Sequence, residues 1–146
     1  MKLLLEREDV NPNMQTSDFM APLSFAVSQG SDGVVELLLG REGVNPDVPN
    51  NDGRAPLSIA ACQGNDSVVE LLLRREDVNP NAPKNDGVTP FFLPAFNGYD
   101  RVVGLLLGRE DINPNAPNND ALTPLAMAAL QGHDRVCYEV PIAEDM

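Results

Sequence analysis

Ala55-Pro56-Leu57-Ser58-Ile59-Ala60-Ala61-Cys62-Gln63-Gly64, followed closely by Asp66-Ser67-Val68-Val69-Glu70-Leu71-Leu72-Leu73, is the stretch from which the rest of the chain can be read. Its proline recurs at Pro22, Pro90 and Pro124, and its glycine at Gly30, Gly98 and Gly132. Its triple leucine recurs at Leu3 to Leu5, Leu37 to Leu39 and Leu105 to Leu107. Asn-Pro pairs beginning at Asn11, Asn45, Asn79 and Asn113 keep the same step of 34 residues. Self-similarity at a fixed period of this length marks a stacked-repeat architecture, in which each unit buries its apolar face against its neighbours.

One unit can be followed from turn to turn. Asn50-Asn51-Asp52-Gly53 is a turn sequence, with Gly53 free to take a positive φ. Pro56 suits the first position of a helix, where its fixed φ is pre-organised and its missing N–H is not needed. Leu57, Ile59, Ala60 and Ala61 supply an apolar face, and Gly64 ends the helix in a left-handed position. Asp66 is expected to cap a second helix, with Asp32, Asp100 and Asp134 in the same column, and Arg74-Arg75 put cations at its negative end. Each unit therefore reads as a finger loop and two antiparallel helices.

A single array over 1–146 follows, with a partial unit at 1–10 that holds only a second helix and full units at 11–44, 45–78 and 79–112. The last unit, 113–146, reads as degraded, because Cys137-Tyr138-Glu139-Val140-Pro141 stands where Val103-Gly104-Leu105-Leu106-Leu107 would. Pro141 cannot continue a helix, and Glu144-Asp145 make the end acidic. The chain thus reads as cut at one end and altered at the other, without the polar caps that keep solenoids soluble.

Hydrophobic residues make up 42% of the chain but aromatics only 5%, with no Trp, so the core must be built from Leu, Val, Ala and Met. A net charge of -12 argues against nucleic acid, whose phosphates need clustered Lys and Arg, and against an anionic membrane surface. No apolar run approaches the ~20 residues of a membrane-spanning helix, and the opening Met1 to Glu8 lacks the form of a signal peptide. Cys62 and Cys137 fall in different helices two units apart, beyond the ~4.4–6.8 Å Cα separation of a disulfide. Free thiols in a reducing compartment are expected, the cytoplasm first and the nucleus second.

Ala55 to Asn65, Val68 to Leu73 and Asp77-Val78-Asn79 resemble the ankyrin repeat, as do Thr89-Pro90, Thr123-Pro124 and Gly132-His133. The expanded loop Val78-Asn79-Pro80-Asn81-Ala82-Pro83 is similar to ankyrin arrays of large multidomain proteins of filamentous fungi. The resemblance implies an all-α solenoid of stacked helix-turn-helix units with protruding finger loops, and protein recognition without catalysis. It also implies that Asn45, Asn79 and Asn113 hold the loop by hydrogen bonds. Departures are informative. The family's histidine after Thr-Pro-Leu, which ties neighbouring repeats, is replaced by Ser24, Ser58, Phe92 and Ala126, and its capping threonine by Ala21 and Ala55. Pro94 stands where other units have Ala26, Ala60 and Ala128, which predicts a kinked or shortened helix.

Catalytic chemistry finds no support. His133 has no Ser or Cys at a fixed relation to it, and with Cys62 and Cys137 it lacks the spacing of a zinc site. Glu42, Glu76-Asp77 and Glu110-Asp111 lack a calcium loop and read as a solvated rim, and no glycine-rich loop follows a strand. No cofactor and no metal are expected, and the chain is not read as an enzyme.

By the resemblance, the finger tips and the late first-helix columns face the partner. The tips offer Asn51, Asp52 and Arg54, then Lys84, Asn85, Asp86 and Val88, then Asn119 and Leu122; the helix columns add Phe96, Tyr99 and Leu130. Phe96 and Tyr99 are the expected anchors, since aromatic residues dominate hot spots. The competing reading has Phe92, Phe96 and Tyr99 filling space opened by Pro94. The expected function is a non-catalytic protein-binding module, the recognition or regulatory part of a larger assembly. The alternative is a truncated fragment or spacer that self-associates through its uncapped ends.

Overall fold

The computed structural model describes residues 2–139, which among themselves form helices and loops and no strand. A row of first helices, α2 (Pro22–Ser28), α4 (Pro56–Cys62), α6 (Phe92–Asn97) and α8 (Pro124–Gln131), lies beside a row of second helices. The second row is α1 (Lys2–Leu5), α3 (Asp32–Leu39), α5 (Asp66–Leu73), α7 (Asp100–Leu107) and α9 (Asp134–Glu139). Each first helix packs on its own second helix and on the first helices before and after it, so the array is a two-layer solenoid.

The core is a set of columns running through the stack. Leu23, Leu57 and Phe91 are buried in the first-helix layer, and Val35, Val69 and Val103 in the second. Leu38, Leu72 and Leu106 are fully buried too, each side chain contributing about 1.5–3 kcal/mol. Leu4 belongs to that column and is 57% exposed, since among the described residues no helix covers it.

Helix ends follow local chemistry and correct three expectations. Asp66 is the first residue of α5 and does not cap it; the cap is Asn65, whose side chain accepts from the Val68 amide at 3.2 Å. The aspartate column acts instead by charge at the helix N-terminus and through ion pairs to the next unit. Thr123 caps α8 by accepting from Ala126 N at 3.2 Å, but Thr89, at the same register, caps nothing: its hydroxyl is buried without a partner. The reason is Pro94. A helix begun at Pro90 would need a Pro94 N–H, so α6 starts two residues later at Phe92 and seats Pro94 in its first turn, where that N–H has no intrahelical acceptor. The predicted disruption therefore takes the form of shortening. The last unit's second helix does not fail over its described part, since α9 runs to Glu139 with Val136 buried in the column of Val68 and Val102. Pro141, Glu144 and Asp145 lie outside the described residues.

Ser24 and Ser58, which replace the family's tying histidine, are buried with hydroxyls that have no partner. The joints are held elsewhere. Arg41 donates to the carbonyls of Arg7 (2.9 Å) and Val10 (3.0 Å). Arg75 reaches Leu39 O at 3.1 Å, and Arg109 reaches Leu73, Arg75 and Val78 carbonyls at 3.4, 3.2 and 3.1 Å. On the second-helix row Ser67 donates to Asp32 (2.7 Å), Arg101 pairs with Asp66 (2.7 Å) and Arg135 with Asp100 (3.4 Å).

Candidate protein-interaction face

The fingers are built by asparagine. Asn50 Oδ1 accepts from Asp52 N (3.0 Å) and Arg54 N (2.9 Å), closing a turn whose ends meet through Asn50 N and Arg54 O at 3.0 Å. Asn118 does the same for Asp120 and Leu122, both at 3.0 Å. In the third unit Lys84 stands at this register, and Asp86 takes over by accepting from Val88 N at 3.1 Å while pairing with the Lys84 ammonium. Desolvation pushes the Asp86 carboxyl up, but those contacts together outweigh it and hold the group below its ordinary range.

Adjacent fingers are also bonded to each other. Asn85 N donates to Asp52 O (3.0 Å) and Asn85 Nδ2 to Asn51 O (3.1 Å), and Asn119 N donates to Asp86 O (3.1 Å). The approach is close enough to demand glycine. A Cβ on Gly53 would lie 2.4 Å from Asn85 Oδ1, and one on Gly87 2.3 Å from Asn119 Oδ1. Finger one is different. Phe19, at φ 59°, occupies the register of Gly53, and among the described residues no bond joins Asn51 N to Asp18 O. The link is made by Gln15, whose side chain donates to Phe19 O and Pro49 O, both at 2.8 Å.

Of the residues expected to face a partner, Asn51, Asp52, Asn85, Asp86 and Asn119 come together on one exposed ridge formed by fingers two to four. Asn85 and Asn119 are also its ties, so they shape the ridge as much as present it. Arg54 and Lys84 are half-buried. Val88 is 8% exposed: it packs at the finger base and offers no contact surface, a correction to its expected role. Tyr99 is 36% exposed, with its ring 3.0–3.1 Å from where a Gly64 Cβ would stand, so one face is used in stacking units. His133 covers Gly98 in the same manner and donates from Nε2 to Phe96 O at 2.8 Å. The column just after the helix-ending glycine is therefore a joint first and a surface second.

Phe96 is half-buried, Phe92 buried, and Leu122 and Leu130 exposed. Phe92 is buried, as Ser24 and Ser58 are at the same register, while Phe96 keeps an accessible edge. Phe25, on α2, is 43% exposed and was not singled out from the sequence. Its signal was an aromatic in the column of Ile59, Leu93 and Met127. The first helices carry no charged residue in any unit, whereas α3, α5, α7 and α9 all do. The expected loop asparagines act as implied: Asn45, Asn79 and Asn113 side chains accept from the amides two residues on at 3.0, 3.0 and 3.1 Å.

The acidic positions read as a solvated rim are more than that. Asp77 and Asp111 pair with Arg75 (2.5 Å) and Arg109 (2.8 Å), whose guanidiniums pull both carboxyls below the usual carboxylate range. Among the described residues no group of three or more His, Cys, Asp or Glu could hold a metal ion, and no helix is long and apolar enough to cross a membrane.

The period, the paired helices and the finger loops converge with a comparison against family models: one described as ankyrin repeats (3 copies) matches residues 1–83 and 23–118. The chain belongs to the ankyrin-repeat family. No curated protein matches it. Ankyrin repeats are generally protein–protein interaction modules and typically non-catalytic. In this ankyrin array, the finger ridge and the first-helix face lie within the matched residues for the units headed by Pro22, Pro56 and Pro90.

Proposed function

We propose that this ankyrin array is a non-catalytic recognition module, the binding or regulatory part of a larger assembly. Its partner is a protein that lies across the ridge of fingers two to four and the first-helix face beneath it. One observation carries the reading. The first helices are free of charge and leave Phe25, Phe96 and Leu130 partly or largely uncovered, while the finger tips expose polar Asn51, Asp52, Asn85, Asp86 and Asn119. Protein interfaces have this anatomy, a charge-depleted centre with aromatic anchors inside a polar rim. The two thiols, Cys62 and Cys137, are unpaired and half-buried, in keeping with a cytoplasmic setting.

The test is affinity capture with the parent chain, Phe25→Asp and Phe96→Asp on the face, and Glu36→Gln on α3 as a distant control, each first checked for helical content. Proteins retained by the parent and by Glu36→Gln but lost from both face variants support the reading. Retention by all four chains refutes it.

A second reading rests on a separate observation: Leu3 and Leu4 at one end, and Tyr138 at the other, are exposed apolar side chains. Self-association through these ends would cover them. Sedimentation across a concentration range decides, since such assembly is concentration-dependent and lost in Leu4→Glu.

A further inference from the structure

The loops between units are joined by a repeated side chain two residues after the loop asparagine: Asn13, Asp47 and Asn81. Asn13 Oδ1 accepts from Asn45 N at 2.8 Å while its Nδ2 donates to Gly43 O at 2.7 Å. Asn81 repeats both bonds, from Asn113 N at 2.7 Å and to Asp111 O at 2.7 Å. Each amide thus clasps the next loop with one acceptor and one donor. Asp47, at the middle joint, makes only the first bond: its Oδ2 accepts from Asn79 N at 2.8 Å. Its other oxygen, Oδ1, is shut off from solvent and has no partner. By the register of the other joints that oxygen takes the place of the amide nitrogen, opposite the Asp77 carbonyl, where an ionised carboxylate has no hydrogen to give.

We propose that Asp47 is a proton-operated latch between the second and third units. Protonated, it donates to the Asp77 carbonyl and restores the two-bond clasp; ionised, it sets one oxygen against another and leaves the middle joint looser than its neighbours.

The groups around Asp47 are compatible with such a switch. Burial pushes its carboxyl above the ordinary range. The Asn79 amide opposes this, the Asp77 charge adds to it, and the Arg109 and Arg75 guanidiniums oppose it. With the folded pKa raised, the folded chain binds this proton more tightly than the unfolded one. Asp47's contribution therefore falls as pH rises from about 3.9 through the folded pKa, and the joint is loosest at neutral pH. Acid tightens this joint, opposite to the ion-paired aspartates, and the middle of the array stiffens as pH falls through the folded pKa.

The experiment is a set of thermal melts of the full chain from pH 7.5 to pH 4.5, with amide exchange read at Asn79. Asp47→Asn supplies the missing donor and should melt about 3 °C above the parent at pH 7.5. The gap should narrow steadily as pH falls, as the parent takes up its proton. Asn81→Asp should lose a similar amount at pH 7.5 and regain part of it as pH falls, with the exchange change moving to Asn113. A gap that is constant with pH, an Asp47→Asn chain less stable than the parent, or no acid recovery in Asn81→Asp overturns the proposal.

Discussion

Gly53→Ala tests whether the finger ridge is one body. Gly53 holds φ at 77°, a region that costs an L-residue roughly 1–2 kcal/mol. A methyl there would also stand 2.4 Å from Asn85 Oδ1 and 3.0 Å from Asn85 N, a backbone atom that cannot swing aside. Displacing Asn85 loses its bonds to Asp52 O and Asn51 O, at about 0.5–1 kcal/mol each for exposed groups. The sum is about 2–4 kcal/mol, which lowers the melting temperature of a chain this size by about 5–12 °C. Gly53→Asn separates the two causes, because asparagine tolerates the left-handed region but keeps the Cβ. Melts followed by circular dichroism should rank parent above Gly53→Asn above Gly53→Ala. Ala121→Gly, at φ 61° with no finger beyond it among the described residues, should gain about 1 kcal/mol. A Gly53→Asn chain as stable as the parent would refute the claim that Asn85 closes on this site.

Within one column, Leu72→Ala should cost about 2–5 kcal/mol in urea denaturation and Leu4→Ala under about 1, since the first is fully buried and the second is not. Thr123→Ala should cost about 1 kcal/mol for the lost cap, whereas Thr89→Val should be neutral or stabilising because its buried hydroxyl has no partner; matched melts decide. Asp77 and Asp111 have lowered pKa values, so what they contribute is present above the ordinary carboxyl range and is lost as pH falls below about 3.9 through the folded values. Replacing Arg75 and Arg109 together by Met should flatten the acid limb of a stability–pH curve.

The helix pair of each unit was legible because proline, glycine and the apolar columns repeat in one register, and each signal acts within its own segment. Pro94 was read correctly as a disruption, with kinking and shortening both left open, since the choice between them depends on where the first turn can start. Asp66 was mistaken for a cap because aspartate is favoured both at that position and one residue inside it, and only the Asn65 bond separates them. Val88 looked like a finger-tip residue because Arg54 and Leu122 share its column; burial at that position depends on the side chain and on the next finger, neither of which is local. The joints were the least legible part. Arg41, Arg75 and Arg109 recur at the period like everything else, and nothing in their spacing shows that they reach backward to the previous unit.

That backward reach determines how freely the units can vary. Arg109 closes its joint on the carbonyls of Leu73, Arg75 and Val78, and Arg41 does so on Arg7 and Val10. A main-chain carbonyl is present whatever side chain stands above it, so these joints make no demand on the identity of the neighbour. The pairs Asp66–Arg101 and Asp32–Ser67 do make such a demand, and they sit on the second-helix row, away from the fingers. Changes along the uncovered first-helix face can therefore accumulate one unit at a time, whereas the finger tips, closed on each other through Asn85 and Asn119, cannot vary without their neighbours.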